Sequence, residues 1–483
     1  MREQVTIRRL PSGVPGFDAI LSGGVPEFSF NLIAGSPGAG KTTLAHQLMF
    51  SLATPERRAL YFTVLGEPPL KMLRYQQQFS FFDLGKLDAS IRFVNLSDEL
   101  TTGDLAQVLS RITQELEAFS PGLVFVDSLR AVTLEARLQG SAVPLQHFIQ
   151  RLGMQLSSWE ATSFLIGEYP SENDPHPVAT VADGLFNLSQ NVFRNSMVRK
   201  LEVRKLRGQA PSPGLHTFRI DETGLTVFPS VGAQPAMPAP PTTHRRLAMG
   251  VPKLDEMLGG GLPEGYSLLV AGPSGSGKTV LATAFLAEGV RRGEPGVLVA
   301  FEQTPGRSWN QTLSDLVRNG RIELVNTRAL DLSIDEIVAQ LLQVISRLKA
   351  KRVVIDSLSG FELAVAPTFR EDFRESLFRM VTTLSGTGVT VLMTSELEDR
   401  YTDLRFSPYG SAFLTDAIVV QRYIEVESRL KRVMAVVKVR ASAHSTDLRE
   451  YEIDERGIQL GERMLAWDGL LGGQPHRSPL GRP

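Results

Sequence analysis

One glycine-rich phrase occurs twice in this chain. GVPGFDAILSGGVPEFSFNLIAGSPGAGKTTLA begins at Gly13, and GVPKLDEMLGGGLPEGYSLLVAGPSGSGKTVLA begins at Gly250. The two align without a gap, so that Lys278 lies 237 residues after Lys41. A period this long is a duplicated domain, because solenoid repeats run to about 20–45 residues. The remainder of each half follows in the same order. An apolar run ends in Asp127-Ser128 and again in Asp356-Ser357. A second apolar run comes next, SFLIGE at 163–168 and VTVLMTSE at 389–396. Basic triplets follow, Lys205-Leu206-Arg207 and Lys438-Val439-Arg440, and the halves close on FRIDETGL at 218–225 and YEIDERGI at 451–458.

Between the halves, PSVGAQPAMPAPPTTHRR at 229–246 is rich in Pro and Ala and has no apolar period, which reads as an extended linker. The expected division is therefore a first domain over 1–228, the linker at 229–246 and a second domain over 247–467. The Gly/Pro-rich residues 468–483 are expected to form a flexible tail. A chain of 483 residues fits this division, being too long for one core.

Within each half, short apolar runs such as FNLIAG, ALYFTV and LVFVDS alternate with segments of helical spacing such as LAQVLSRITQELEAF. Buried strands alternating with helices predict an α/β fold, a mostly parallel sheet covered on both faces. Such sheets bind ligands at the carboxyl ends of their strands, and the motifs fall there.

GSPGAGKT at 35–42 and GPSGSGKT at 272–279 both match the phosphate-binding pattern G-x-x-x-x-G-K-[ST]. Its glycines let backbone N–H groups curl around a phosphate chain, and the following helix adds its positive end. ATP is the expected ligand. In the first half the binding residues are Gly35, Ser36, Pro37, Gly38, Ala39, Gly40, Lys41, Thr42 and Thr43. In the second they are Gly272, Pro273, Ser274, Gly275, Ser276, Gly277, Lys278, Thr279 and Val280. Lys41 and Lys278 would reach the β- and γ-phosphates, and Thr42 and Thr279 would place a hydroxyl on Mg²⁺. Asp127 and Asp356, each at the end of an apolar run, are the expected acidic residues beside that metal.

Charge and composition restrict the remaining functions. Lys plus Arg (51) nearly balances Asp plus Glu (52), so no net field draws the chain to nucleic acid or anionic lipid. With no cysteine, disulfides and thiolate metal sites are excluded. MREQVTIRRL lacks the apolar run of a secretory signal, and no apolar stretch of about 20 residues is present. A cytoplasmic chain without a membrane span is expected.

The ordered double set of opening phrase, phosphate loop, Asp-Ser strand end and K-x-R triplet resembles KaiC-like ATPases of the RecA superfamily, over about residues 8–465. The resemblance implies two RecA-like domains and a hexameric ring with ATP at the subunit interfaces and a protein partner. It also implies that Lys205, Arg207, Lys438 and Arg440 reach the nucleotide of the next subunit. In that family, two adjacent glutamates end the strand after the first helix, the first acting as general base. Here the first half has Gly66 and Glu67 at that pair, and the second has Glu302 and Gln303. Glu302 is the better base, and Glu67 serves only if a local shift brings it into reach.

Two other functions stay open at this point. Clock relatives phosphorylate an adjacent Ser-Thr pair just before a Thr-Asp. Here Thr415-Asp416 is kept but the paired positions are Ala412 and Phe413, leaving Ser407, Ser411 and Thr415 as nearby hydroxyls. Other RecA relatives grip DNA with loops after the Asp strand. The loops LRAVTLEARLQGSAVPLQ and LSGFELAVAPTFREDF have no basic and aromatic run, which argues against nucleic acid.

Overall fold

Apolar runs that alternate in facing, rather than in polarity, make strands buried on both sides. In the first half, Ile33, Phe125, Phe164 and Ile166 pack into one core with the helix Lys41–Leu52. Their neighbours Leu32, Val124, Val126 and Leu165 pack into a second core with the helices Leu105–Phe119 and Leu145–Ser158. The period of two along each strand divides the sheet between these layers. Helix Leu105–Phe119 shows the matching helical period, burying Leu105, Val108, Leu109, Ile112, Leu116 and Phe119.

The computed structural model describes residues 7–63, 69–101, 105–128, 145–168, 177–193, 196–230, 245–301, 310–326, 333–365, 373–397, 415–464, 467–468 and 476–477. The chain divides into two compact units, Met1–Gln234 and Pro235–Pro483, with the division inside the Pro/Ala-rich segment. Each unit is a RecA-like α/β domain built on a mostly parallel nine-stranded sheet among the described residues.

Across the first sheet the order is Gly224–Phe228, Leu215–Asp221, Ser196–Leu206, Gly184–Phe193, Phe30–Gly35, Thr162–Gly167, Leu123–Asp127, Ala59–Thr63 and Ile91–Asn95. Across the second it is Ile322–Asn326, Gly296–Ala300, Arg352–Asp356, Thr390–Glu396, Ser267–Gly272, Ala417–Val426, Arg429–Val439, Arg449–Asp454 and Gly457–Arg463. In both, the phosphate-loop strand is parallel to its two neighbours. Three antiparallel strands extend the sheet on one side.

At the flanks, Arg246–Leu247 pairs antiparallel with Leu262–Pro263, so the last linker residue is already in a strand of the second unit. Beyond the second sheet, Trp467–Asp468 pairs antiparallel with His476–Arg477. No helix among the described residues is long and apolar enough to cross a membrane.

Candidate functional site: two phosphate loops

The phosphate loops run from the ends of the strands Phe30–Gly35 and Ser267–Gly272 into the helices Lys41–Leu52 and Lys278–Arg291. Gly40 and Gly277 precede those helices at φ 99°, a left-handed conformation that a side chain resists. A Cβ at Gly40 would also sit 2.5 Å from Ile220 Cδ1, and one at Gly277 2.5 Å from Ile453 Cδ1, so that either isoleucine would have to shift. Ile220 and Ile453 belong to the repeated closing phrases, which thus support the loops from below.

Lys41 Nζ donates to the carbonyl of Ser36 at 2.8 Å, and Lys278 Nζ to those of Gly272 and Pro273, both at 2.8 Å. Each lysine therefore folds back over its own loop. Burial pushes the Lys278 ammonium below its usual range, against the opposing pull of Glu396 and Asp356.

The structure brings together the sequence-separated residues expected to hold the metal. Thr42 Oγ1 donates to Asp127 Oδ2 at 2.9 Å, and Thr279 Oγ1 to Asp356 Oδ2 at 2.8 Å. The Asp–Ser peptide after each aspartate is cis. A hydroxyl beside a carboxylate is an all-oxygen set, the donor chemistry that Mg²⁺ takes alongside nucleotide phosphates. Each aspartate has a second hydroxyl donor that sequence reading missed: Tyr61 for Asp127 at 2.8 Å, and Thr394 for Asp356 at 2.5 Å. Burial raises the Asp127 carboxyl, while the Tyr61 and Thr42 hydrogen bonds and the charge of Lys41 act the other way. Tyr61 is itself pushed well up, by burial first and then by Asp127.

The loops are backed differently. In the second half Tyr451 Oη donates to the Ser276 carbonyl at 2.5 Å, and Ser276 Oγ to Gln421 Oε1 at 3.1 Å. In the first half the contact is Gln190 Nε2 to the Pro37 carbonyl at 3.2 Å. Gln190 and Gln421 stand on the strand parallel to each loop strand, where no motif marked them, whereas Tyr451 opens the repeated closing phrase on the antiparallel extension.

The basic triplets do not join their own loops. Lys205 pairs with Leu185, which lies beside Leu32, three residues before Gly35. Lys438 pairs with Ile418, beside Leu269, three residues before Gly272. Both pairs thus sit towards the amino end of the parallel strands, away from the loop that follows the carboxyl end. A register shift between Leu185 and Phe186, and again between Ile418 and Val419, makes a bulge just before each lysine. Lys205 Nζ donates to the Thr180 carbonyl at 3.3 Å and Lys438 Nζ to that of Thr415 at 2.7 Å. Arg207 and Arg440 pair with Asp183 and Asp416 at 3.0 and 3.3 Å. Burial lowers both lysines, with the neighbouring arginine adding to it.

Matching fragments of this arrangement in each half predict one family matching twice. The profile of the family described as "ATPase: KaiC" matches residues 10–232 and again 247–464. The chain belongs to the KaiC ATPase family.

Relatives of this KaiC-family chain span it from end to end. The circadian clock oscillator protein KaiC of Thermostichus vulcanus is 26% identical over 98% of this chain and 92% of its own length. KaiC 1 of Synechocystis sp. gives the same values, and KaiC of Acaryochloris marina is 25% identical over 99% of this chain and 93% of its own.

The expected bases, Glu67 and Glu302, lie outside the described residues, as do Ser407 and Ser411. The strand ends that precede them in the sequence are described. Thr63 pairs with Asp127, and Ala300 with Asp356. Counted along the sequence from those ends, Leu65 corresponds to Glu302 and Gly66 to Gln303. Thr415 is fully buried, which withdraws its hydroxyl as an acceptor at the surface.

Proposed function

We propose that this KaiC-family chain binds and hydrolyses ATP with Mg²⁺ in two unequal sites, each completed by a neighbouring copy in a hexameric ring. The observation that carries this reading is the location of Lys205/Arg207 and Lys438/Arg440 at the end of the sheet remote from their own phosphate loops. Cations held there serve a triphosphate only on another copy.

In this reading Lys41 and Lys278 hold the β- and γ-phosphates, and the two glycine-rich loops wrap them with backbone N–H groups. Thr42 with Asp127, and Thr279 with Asp356, hold the magnesium. When bound, that ion offsets negative charge on the phosphate oxygens. Glu302 orients the attacking water in the second half, and the partner-supplied cations stabilise charge developing on the γ-phosphate. Nucleotide state then sets ring conformation, which a protein partner reads.

Native mass spectrometry with and without ATP and Mg²⁺ tests this, because ligands that bridge subunits favour assembly by mass action. The expected result is a hexamer with nucleotide at both sites of each chain, lost when Arg207 and Arg440 are changed to Ala. A chain that binds nucleotide yet stays monomeric, or double variants with normal assembly and turnover, would overturn the shared site.

A further inference from the structure

The acidic residues of the two sites are each held by two hydroxyls, but the second hydroxyl comes from opposite sides. Tyr61 stands on the strand Ala59–Thr63, one neighbour of the Asp127 strand, and donates to Asp127 Oδ2 at 2.8 Å. Thr394 stands on the strand Thr390–Glu396, the other neighbour in the second half, and donates to Asp356 Oδ1 at 2.5 Å. Strand register makes the exchange reciprocal. Tyr61 pairs with Phe125, two residues before Asp127, and Leu298 pairs with Val354, two before Asp356. Ile166 lies beside Ile33, and Thr394 beside Val270, at matching places in the phosphate-loop strands. Thus a hydroxyl-bearing residue and an aliphatic one have changed places between the halves: Tyr61 with Ile166, and Leu298 with Thr394.

All four side chains are buried. A buried hydroxyl requires a partner, so neither Tyr61 nor Thr394 is a neutral core choice. The tyrosine ring is fixed by His46, 4.7 Å away between ring centroids, and by Phe125 at 5.8 Å. Thr283 takes the place of His46 in the second half, five residues into the matching helix, where Leu298 replaces the tyrosine.

We propose that Tyr61 and Thr394 are positioning residues of the two metal–nucleotide sites, each fixing the carboxylate that meets the phosphate-loop threonine, and that they are interchangeable between strands. This rests on the nucleotide-site reading above. An aspartate with two lone-pair-bearing oxygens and a free torsion needs a second anchor to hold one rotamer. Partners of this kind typically change metal affinity by 10–100-fold.

The test uses the full chain with one site silenced, Lys278→Ala to isolate the first half and Lys41→Ala to isolate the second. Bound Mn²⁺ is counted by electron paramagnetic resonance with a non-hydrolysable ATP analogue, and analogue binding is also measured in EDTA. Tyr61→Phe and Thr394→Val should each weaken Mn²⁺ binding ~10-fold in their own half, leave metal-free analogue binding unchanged, and be reversed in the second half by Thr394→Ser. The graft Leu298→Tyr with Thr394→Ile should also regain the affinity that Thr394→Ile alone loses. Unchanged Mn²⁺ affinity, or an equal loss in EDTA, would overturn the positioning role. A graft without recovery would overturn interchangeability. Should Tyr61→Phe not fold, the Thr394→Val and Thr394→Ser pair still decides. If instead the silenced parents bind no Mn²⁺–analogue at all, it is the nucleotide-site reading that fails.

Discussion

Arg352 and Glu294 form an enclosed ion pair at the start of the Asp356 strand, with Nε and Nη2 of the arginine 2.9 and 2.6 Å from one glutamate oxygen. The guanidinium has no exposed surface. It also donates to the carbonyls of Ala248 and Phe285 and lies 4.5 Å from the Phe285 ring centroid. Arg245 takes the second Glu294 oxygen at 2.5 Å, tying the entry of the second unit to its sheet. Leu123 stands at the matching register of the first half, beside Ala59 as Arg352 is beside Gly296. Removing one partner of a buried pair strands the other charge, at a cost of about 3–5 kcal/mol. Glu294→Ala should therefore loosen the second unit. Exchange by mass spectrometry should rise in peptides covering Gly296–Ala300 and Arg352–Asp356 but not Ala59–Thr63. The double change Glu294→Leu with Arg352→Leu should restore most of the protection.

A second prediction concerns acid. His46 is fully buried against Tyr61 and Phe93, with Gln76 nearby, and burial lowers its imidazole from 6.5 to about 4. The unfolded chain binds a proton at this residue below about pH 6.5, and the folded chain does not until about pH 4. Unfolding thus takes up a proton in that window, and stability falls as pH falls. The contribution is complete above pH 6.5 and is lost progressively towards pH 4, by about 3 kcal/mol in all. Urea denaturation at pH 7.5 and 5 should show the first unit losing stability in acid. His46→Leu should flatten that dependence; an unchanged slope would assign it to other groups.

A third prediction concerns nucleotide. Lys41→Ala and Lys278→Ala should each weaken ATP binding in their own half by about 10–100-fold, the worth of one charge-assisted contact. Titration with a fluorescent ATP analogue should show one tight site remaining in each variant and none in the double variant. Full occupancy in both single variants at low ATP would remove these loops from the site.

The fourth prediction is unequal turnover. Counted along the sequence from Thr63 and Ala300, Leu65 and Gly66 correspond to Glu302 and Gln303. No carboxylate then stands at either place in the first half, and Glu67 comes one residue later. Loss of a general base costs about 10²–10⁴ in rate. Glu302→Gln should abolish most steady-state hydrolysis, and Glu67→Gln little. The reverse pattern would place the chemistry in the first half.

The sequence by itself determined the duplication, the mostly parallel sheets and the two phosphate loops. Each of these is written in contiguous residues: Gly35–Thr42 needs only its own backbone and the helix it starts, and apolar runs such as Leu123–Asp127 are strands wherever they pack. The tertiary structure decided what surrounds those motifs. Tyr61 meets Asp127, Thr394 meets Asp356 and Glu294 meets Arg352 through pairings between strands and helices far apart in the chain. The reason is physical: a local pattern fixes which way a side chain faces, but parallel strands joined through helices take their register from packing across the whole sheet. The same register set Lys205 and Lys438 at the end of the sheet away from their own loops.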